Sequence, residues 1–148
     1  MNSKVLLLLP ILLFIHLSAK EKKNWDFEYF YKLKKDQFAN IYINRNGSGD
    51  KTKSNSYLLS FRWTLYDGSK NLIVLLNYQG YPYQYSLRRE RLRDRIEIPL
   101  LYRSKNYVKD TYVLIVFSNF NKKKMTADFD VYIRDRNKKL LVDFKKGK

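Results

Sequence analysis

Between Tyr57 and Tyr78 two apolar runs flank Asp67-Gly68-Ser69-Lys70, the strongest short hairpin signal in the chain. With Gly68 and Ser69 as a two-residue loop, Leu65 faces Leu72, Trp63 faces Val74, Phe61 faces Leu76 and Leu59 faces Tyr78. A loop of Asp67 and Gly68 keeps the same faces but sets Leu65 against Lys70, a poorer pair. Residues opposite each other share a face, so one side of this hairpin is thoroughly apolar. Ile73 and Leu75 add apolar surface on the other side, which predicts that 72–76 is a central strand covered on both faces.

Alternation recurs along the chain. Phe27, Tyr29, Tyr31 and Leu33 lie at period two; Trp25, Tyr29 and Leu33 also fit a helix, but aromatic density favours a strand. Lys34–Gln37 turns the chain, and Ala39, Ile41 and Ile43 then alternate with Asn40, Tyr42 and Asn44. Asn46–Ser56 holds no large apolar residue and is expected to be an exposed loop. In Asn77–Tyr85, Gly80 and Pro82 mark a break or an edge, and Pro99 marks another edge within Ile96, Ile98 and Leu100. Tyr102–Asp110 is a polar connection. Tyr112–Phe117 is continuously apolar and predicts a second strand buried on both faces. After a basic loop at Asn119–Lys124, Ala127, Phe129, Val131 and Ile133 face inward; Asp135–Lys139 turns, and Leu140–Phe144 is the last strand. About eight short strands, turn signals every ten or so residues and no amphipathic helix predict a single antiparallel β-sandwich, immunoglobulin-like or jelly-roll in topology.

Residues 1–19 do not belong to this pattern. Lys4, the apolar run Val5–Leu17 and the small-residue site Leu17-Ser18-Ala19 have the order of a cleaved secretory signal. The run is shorter than the ~20 residues that span a bilayer. The expected mature domain is 20–148, without a transmembrane span, exported to a periplasm or secreted.

Composition narrows the chemistry. The 148 residues suit one domain, and the chain has no Cys, so its stability rests on packing and hydrogen bonding. Thirty Lys and Arg against fourteen Asp and Glu give a net charge of +16, or +15 once Lys4 leaves with the signal. Such a field attracts anions, although the abundance of Lys, Asn, Ile, Tyr and Phe also fits a compositional bias. Export argues against a specific nucleic-acid partner. His16 is the sole His and lies in the signal, so the mature chain cannot build a Ser-His-Asp or Cys-His nucleophile. It also lacks the usual nitrogen and sulfur ligands of zinc, copper and haem. Gly47-Ser48-Gly49 lacks the Lys of a phosphate loop, and Asn46–Asp50 has too few carboxylates for calcium. No cofactor or metal is expected. Asp128 and Asp130 point to one strand face about 7 Å apart, where pairing with Lys or Arg on a neighbouring strand is expected. A carboxylate-based hydrolase is the enzymatic option that survives, and it ranks third.

Two features point to binding. Arg88, Arg89, Arg91, Arg93 and Arg95 are interleaved with Glu90, Asp94 and Glu97. Guanidinium forks grip phosphate, sulfate and carboxylate through paired hydrogen bonds. As a strand, the segment would line Arg89, Arg91, Arg93 and Arg95 on one side as a cationic rail. As a helix, it would group Arg88 with Arg91 and Arg95. The alternative role is a solvated edge that resists sheet-to-sheet association. The second feature is Tyr78, Tyr81, Tyr83 and Tyr85, an aromatic platform for sugars or extended peptides with Asn77, Gln79 and Gln84 nearby, unless the rings pack across strands. The expected function is a non-catalytic, basic β-sandwich of the cell envelope that binds an anionic or extended partner such as lipid phosphate, acidic glycan or acidic protein. The competing expectation is a structural or assembly factor docking on another envelope protein by strand addition at a Pro-marked edge.

Overall fold

Segments of period two become strands because each buries one row of side chains and leaves the other wet. The computed structural model describes residues 24–45, 56–90, 92–100, 111–136 and 138–147. The expected signal segment 1–19, the polar loop expected over 46–55 and the polar connection expected over 101–110 lie outside the described residues. Nine strands are described: β1 (Phe27–Lys34), β2 (Ala39–Arg45), β3 (Ser56–Tyr66), β4 (Asn71–Tyr78), β5 (Tyr81–Arg88), β6 (Arg95–Pro99), β7 (Thr111–Asn121), β8 (Thr126–Asp135) and β9 (Leu140–Lys146). They form two antiparallel sheets, in the orders β1-β8-β7-β6 and β5-β4-β3-β2-β9, packed face to face as a β-sandwich. Inside each sheet β6-β7-β8 and β2-β3-β4-β5 run as meanders, and only β1–β8 and β2–β9 join strands distant in sequence. Pro82 and Pro99 lie on β5 and β6, each at a sheet edge, where a missing N–H can face away from the ladder.

The inward rows are those that alternation predicts. Tyr31 and Leu33, Ala39, Ile41 and Ile43, Val113, Ile115 and Phe117, and Ala127 to Ile133 at period two are all buried. Aromatic rings cross between the sheets: Phe61 meets Tyr31 at 5.8 Å and Phe129 at 5.3 Å between ring centroids. Trp63 is fully buried and sits 5.4 Å from Phe120. Its indole N–H donates to the Leu33 carbonyl at 3.0 Å, a bond from one sheet to the other.

The central hairpin keeps three of its four expected pairs, Leu59–Tyr78, Phe61–Leu76 and Trp63–Val74. The fourth is overturned. A bulge between Trp63 and Leu65 sets Tyr66, not Leu65, against Leu72, and Leu65 is left 56% exposed. One extra residue reverses the faces beyond it, and Tyr66 gains a stacked contact with Phe120 at 3.8 Å. The expected two-residue loop is likewise replaced. Asp67 N–H bonds the Asn71 carbonyl, and Lys70 takes the left-handed φ of 71°. The Asp67 carboxylate closes this longer turn by accepting from the Asn71 backbone and side-chain nitrogens, both at 2.7 Å. The next turn is tighter: Gln79 and Gly80, with φ of 54° and 83°, link β4 to β5 as a hairpin the composition alone did not reveal.

Strands β4 and β7 were expected to be covered on both faces. Their inward rows are buried, but Ile73 and Leu75, and Leu114 and Val116, are half-buried on the outer faces. Two layers suffice because neighbouring side chains shield them; Trp25, for instance, stacks on Tyr132 at 5.1 Å and meets Tyr112 edge-on at 5.7 Å.

The start of β1 is pinned to the β8–β9 connection through Asp26. Its carboxylate accepts from the Asp135 backbone N–H at 2.7 Å and from the Lys138 ammonium. Burial alone would raise the Asp26 pKa, but these two hydrogen bonds outweigh it and hold the carboxyl below its ordinary value. A depressed folded pKa contributes stability above the ordinary value of about 4, and that contribution is lost as pH falls through the folded value. Asp26→Asn should therefore lower the denaturation midpoint at neutral pH, with the gap to the parent closing in acid. A gap that persists unchanged to low pH would show that Asp26 acts by something other than its charge.

A basic end of the sandwich as the candidate site

In an antiparallel sandwich the odd-numbered connections gather at one end and the even-numbered ones at the other. The arginine segment is one of the odd connections, and it is neither an extended rail nor a helix. Arg88 ends β5 and Arg95 begins β6, while the residues between them carry the chain from one sheet to the other. The crossing is held by Arg88 N–H to the Arg93 carbonyl at 2.8 Å and by Phe117 N–H to the Asp94 carbonyl at 2.7 Å.

The side chains diverge accordingly. The half-buried Arg88 reaches Glu90 at 3.6 Å, and Arg95 pairs with its neighbour Asp94 at 3.0 Å. Glu90 also accepts from Lys70 at 3.2 Å; that hydrogen bond, with the charges of Lys70 and Arg88, holds its pKa below the usual carboxylate range. Arg89 bonds the Asn119 side-chain oxygen at 3.5 Å, and Arg93 is exposed. Arg91 lies outside the described residues. Of the four described arginines, Arg88 and Arg95 thus engage carboxylates of their own segment, as interleaved charges do.

Other connections bring further cations to the same end. The β1–β2 turn carries Lys34 and Lys35, closed by Gln37 N–H to the Lys34 carbonyl at 3.1 Å. The β3–β4 turn supplies Lys70. The β7–β8 turn presents Lys122, Lys123 and Lys124, all exposed, with Lys124 N–H capped by Asn121 at 2.9 Å. Among the described residues no carboxylate lies within ion-pair distance of Arg93, Lys122, Lys123 or Lys124. The arginines stand out along the chain, but their grouping with the lysine turns does not, because only strand parity brings four separate connections to one end.

The tyrosines divide. Tyr78 is buried on the inner face near Tyr57 and cannot serve a platform. Tyr81, Tyr83 and Tyr85 oppose Tyr78, Leu76 and Val74, so they too point to the inner face. They sit on edge strand β5, where Tyr81 is 67% and Tyr83 45% exposed. Tyr83 and Tyr85 stack at 6.4 Å. Asn77 and Gln84 face the opposite side, and of the three nearby amides Gln79 alone meets the row, donating to the Tyr78 hydroxyl at 3.1 Å. On the outer face of that sheet, Phe38, Arg62, Leu75 and Pro82 border a shallow depression of about 200 Å³.

Asp128 lies 3.9 Å from Lys32 on β1 and accepts from Asn119 at 3.3 Å, the cross-strand pairing expected of it. Among the described residues no three His, Cys, Asp or Glu side chains gather as metal ligands would. No helix there is long and apolar enough to cross a membrane. Compared with family models, with curated proteins and with solved structures, the chain has no significant match.

Proposed function

We infer that the protein is an exported, basic, non-catalytic β-sandwich of the cell envelope that binds an anionic partner through the end where its odd-numbered connections meet. The observation that supports this most is the gathering at one end of Arg93 and Lys122–Lys124, exposed and without carboxylate partners among the described residues, with Arg88, Arg89 and Arg95. Cations that are not internally neutralised keep their attraction for an anion. Salt titration tests the reading. Binding to heparin and to phosphatidylglycerol vesicles should weaken by at least about tenfold between roughly 0.05 M and 0.5 M salt, because the screening length contracts severalfold.

A second reading is strand addition at the free edge of β5. It is favoured by the eight-residue length of that strand and by Tyr81 and Tyr83, exposed on its inner side. Such a dock rests on backbone hydrogen bonds and apolar contact, so a partner captured from the native envelope would bind with little dependence on salt.

A further inference from the structure

Two side chains at the basic end are ill suited to the places they hold. Leu92, in the β5–β6 connection, has a φ of 58° and is 76% exposed; Met125, closing the β7–β8 turn, has a φ of 48° and is 50% exposed. Left-handed backbone favours Gly, Asn or Asp, and an apolar side chain in water gains nothing from folding. The other described non-glycine residues with positive φ, Asp36, Lys70, Gln79 and Lys138, are all polar. Both apolar exceptions lie at the end that gathers unpaired cations.

The two connections that carry them are adjacent. The Arg89 guanidinium reaches Asn119 at 3.5 Å, and the Asp94 carbonyl accepts from Phe117 at 2.7 Å. The β5–β6 connection therefore runs alongside the end of β7 that leads into Lys122–Met125. Each exposed apolar side chain has cations beside it in sequence, Arg93 for Leu92 and Lys122 to Lys124 for Met125.

Resting on the anion-binding reading of this end, the geometry points to an anionic lipid surface as its occupant, with Leu92 and Met125 entering between headgroups whose phosphates face Arg93 and Lys122–Lys124. A soluble glycan or acidic protein loop would match the charge but would leave the apolar tips in water. A bilayer interface offers phosphate and hydrocarbon within one side chain's length, and each basic residue near it adds attraction. Turn positions also hold the tips clear of the core, so entering the interface requires no unfolding.

The test replaces both tips with a residue that suits left-handed backbone and adds no charge, Leu92→Asn with Met125→Asn. Binding to phosphatidylglycerol/phosphatidylcholine vesicles should fall by about tenfold or more while heparin binding and the melting temperature hold. Vesicle binding within about twofold of the parent would overturn the proposal while leaving anion binding intact. A parent that binds neither heparin nor vesicles would overturn the underlying reading as well. Because the chain has no Cys, Leu92→Cys carrying an environment-sensitive fluorophore gives an independent readout. A blue shift on anionic vesicles, absent with heparin, is expected; a label that stays in water on bound vesicles contradicts insertion.

Discussion

Trp63→Ala is expected to unfold a large share of the molecules. Trp63 is fully buried, lies against Phe120, and donates its indole N–H across the sandwich to Leu33 at 3.0 Å. Its own carbonyl accepts from Asp36 N–H at 2.9 Å, which fixes the β1–β2 turn against β3. Removing so large a side chain from a packed interior costs about 3–5 kcal/mol, against a total stability of about 5–15 kcal/mol for a typical domain. Trp63→Phe should cost less, about 1–3 kcal/mol, because it keeps a ring but leaves the buried Leu33 carbonyl without its donor. Urea unfolding followed by circular dichroism measures both. An alanine variant melting within a few degrees of the parent would show that the indole does not brace the two sheets.

That residue was legible from sequence because alternation and burial follow from the same geometry. The same holds for the inward rows of β1, β2, β7 and β8, and for the edge positions marked by Pro82 and Pro99. What escaped was local backbone choice. The bulge beside Thr64 exchanges Leu65 for Tyr66, and no pattern of apolar residues distinguishes the two when both could face inward. The Gln79-Gly80 turn was obscured because Gly80 and Pro82 together resembled an interruption. The site was less legible still. Arg89, Arg91 and Arg93 lie at period two, but interleaved charge says nothing of whether a segment is strand or connection. Lys122–Lys124 became relevant only when parity placed their turn at the same end.

Removing three unpaired cations from that end should cost most of the affinity for an anionic surface. Arg93, Lys123 and Lys124 are exposed, so Arg93→Ser, Lys123→Ser and Lys124→Ser together should leave the fold intact. Each basic residue near an anionic bilayer contributes about 1 kcal/mol, so the loss should be on the order of a hundredfold. The matched variant at the opposite end, Arg134→Ser, Arg136→Ser and Lys139→Ser, removes the same charge and should change binding only a few-fold. Equal losses from the two would mean that the net positive charge of the whole chain attracts the partner and no end is special. No loss from either would move attention to Tyr81, Tyr83 and the edge of β5.

The most direct measurement is an amide-resolved NMR titration of the isotope-labelled protein with a heparin-derived oligosaccharide. Shifts are expected to concentrate in Lys34–Gln37, Asp67–Lys70, Arg88–Asp94 and Asn121–Met125, with the strands between them unmoved. Shifts centred on Tyr81–Tyr85, or spread evenly over both ends of the sandwich, would contradict that expectation.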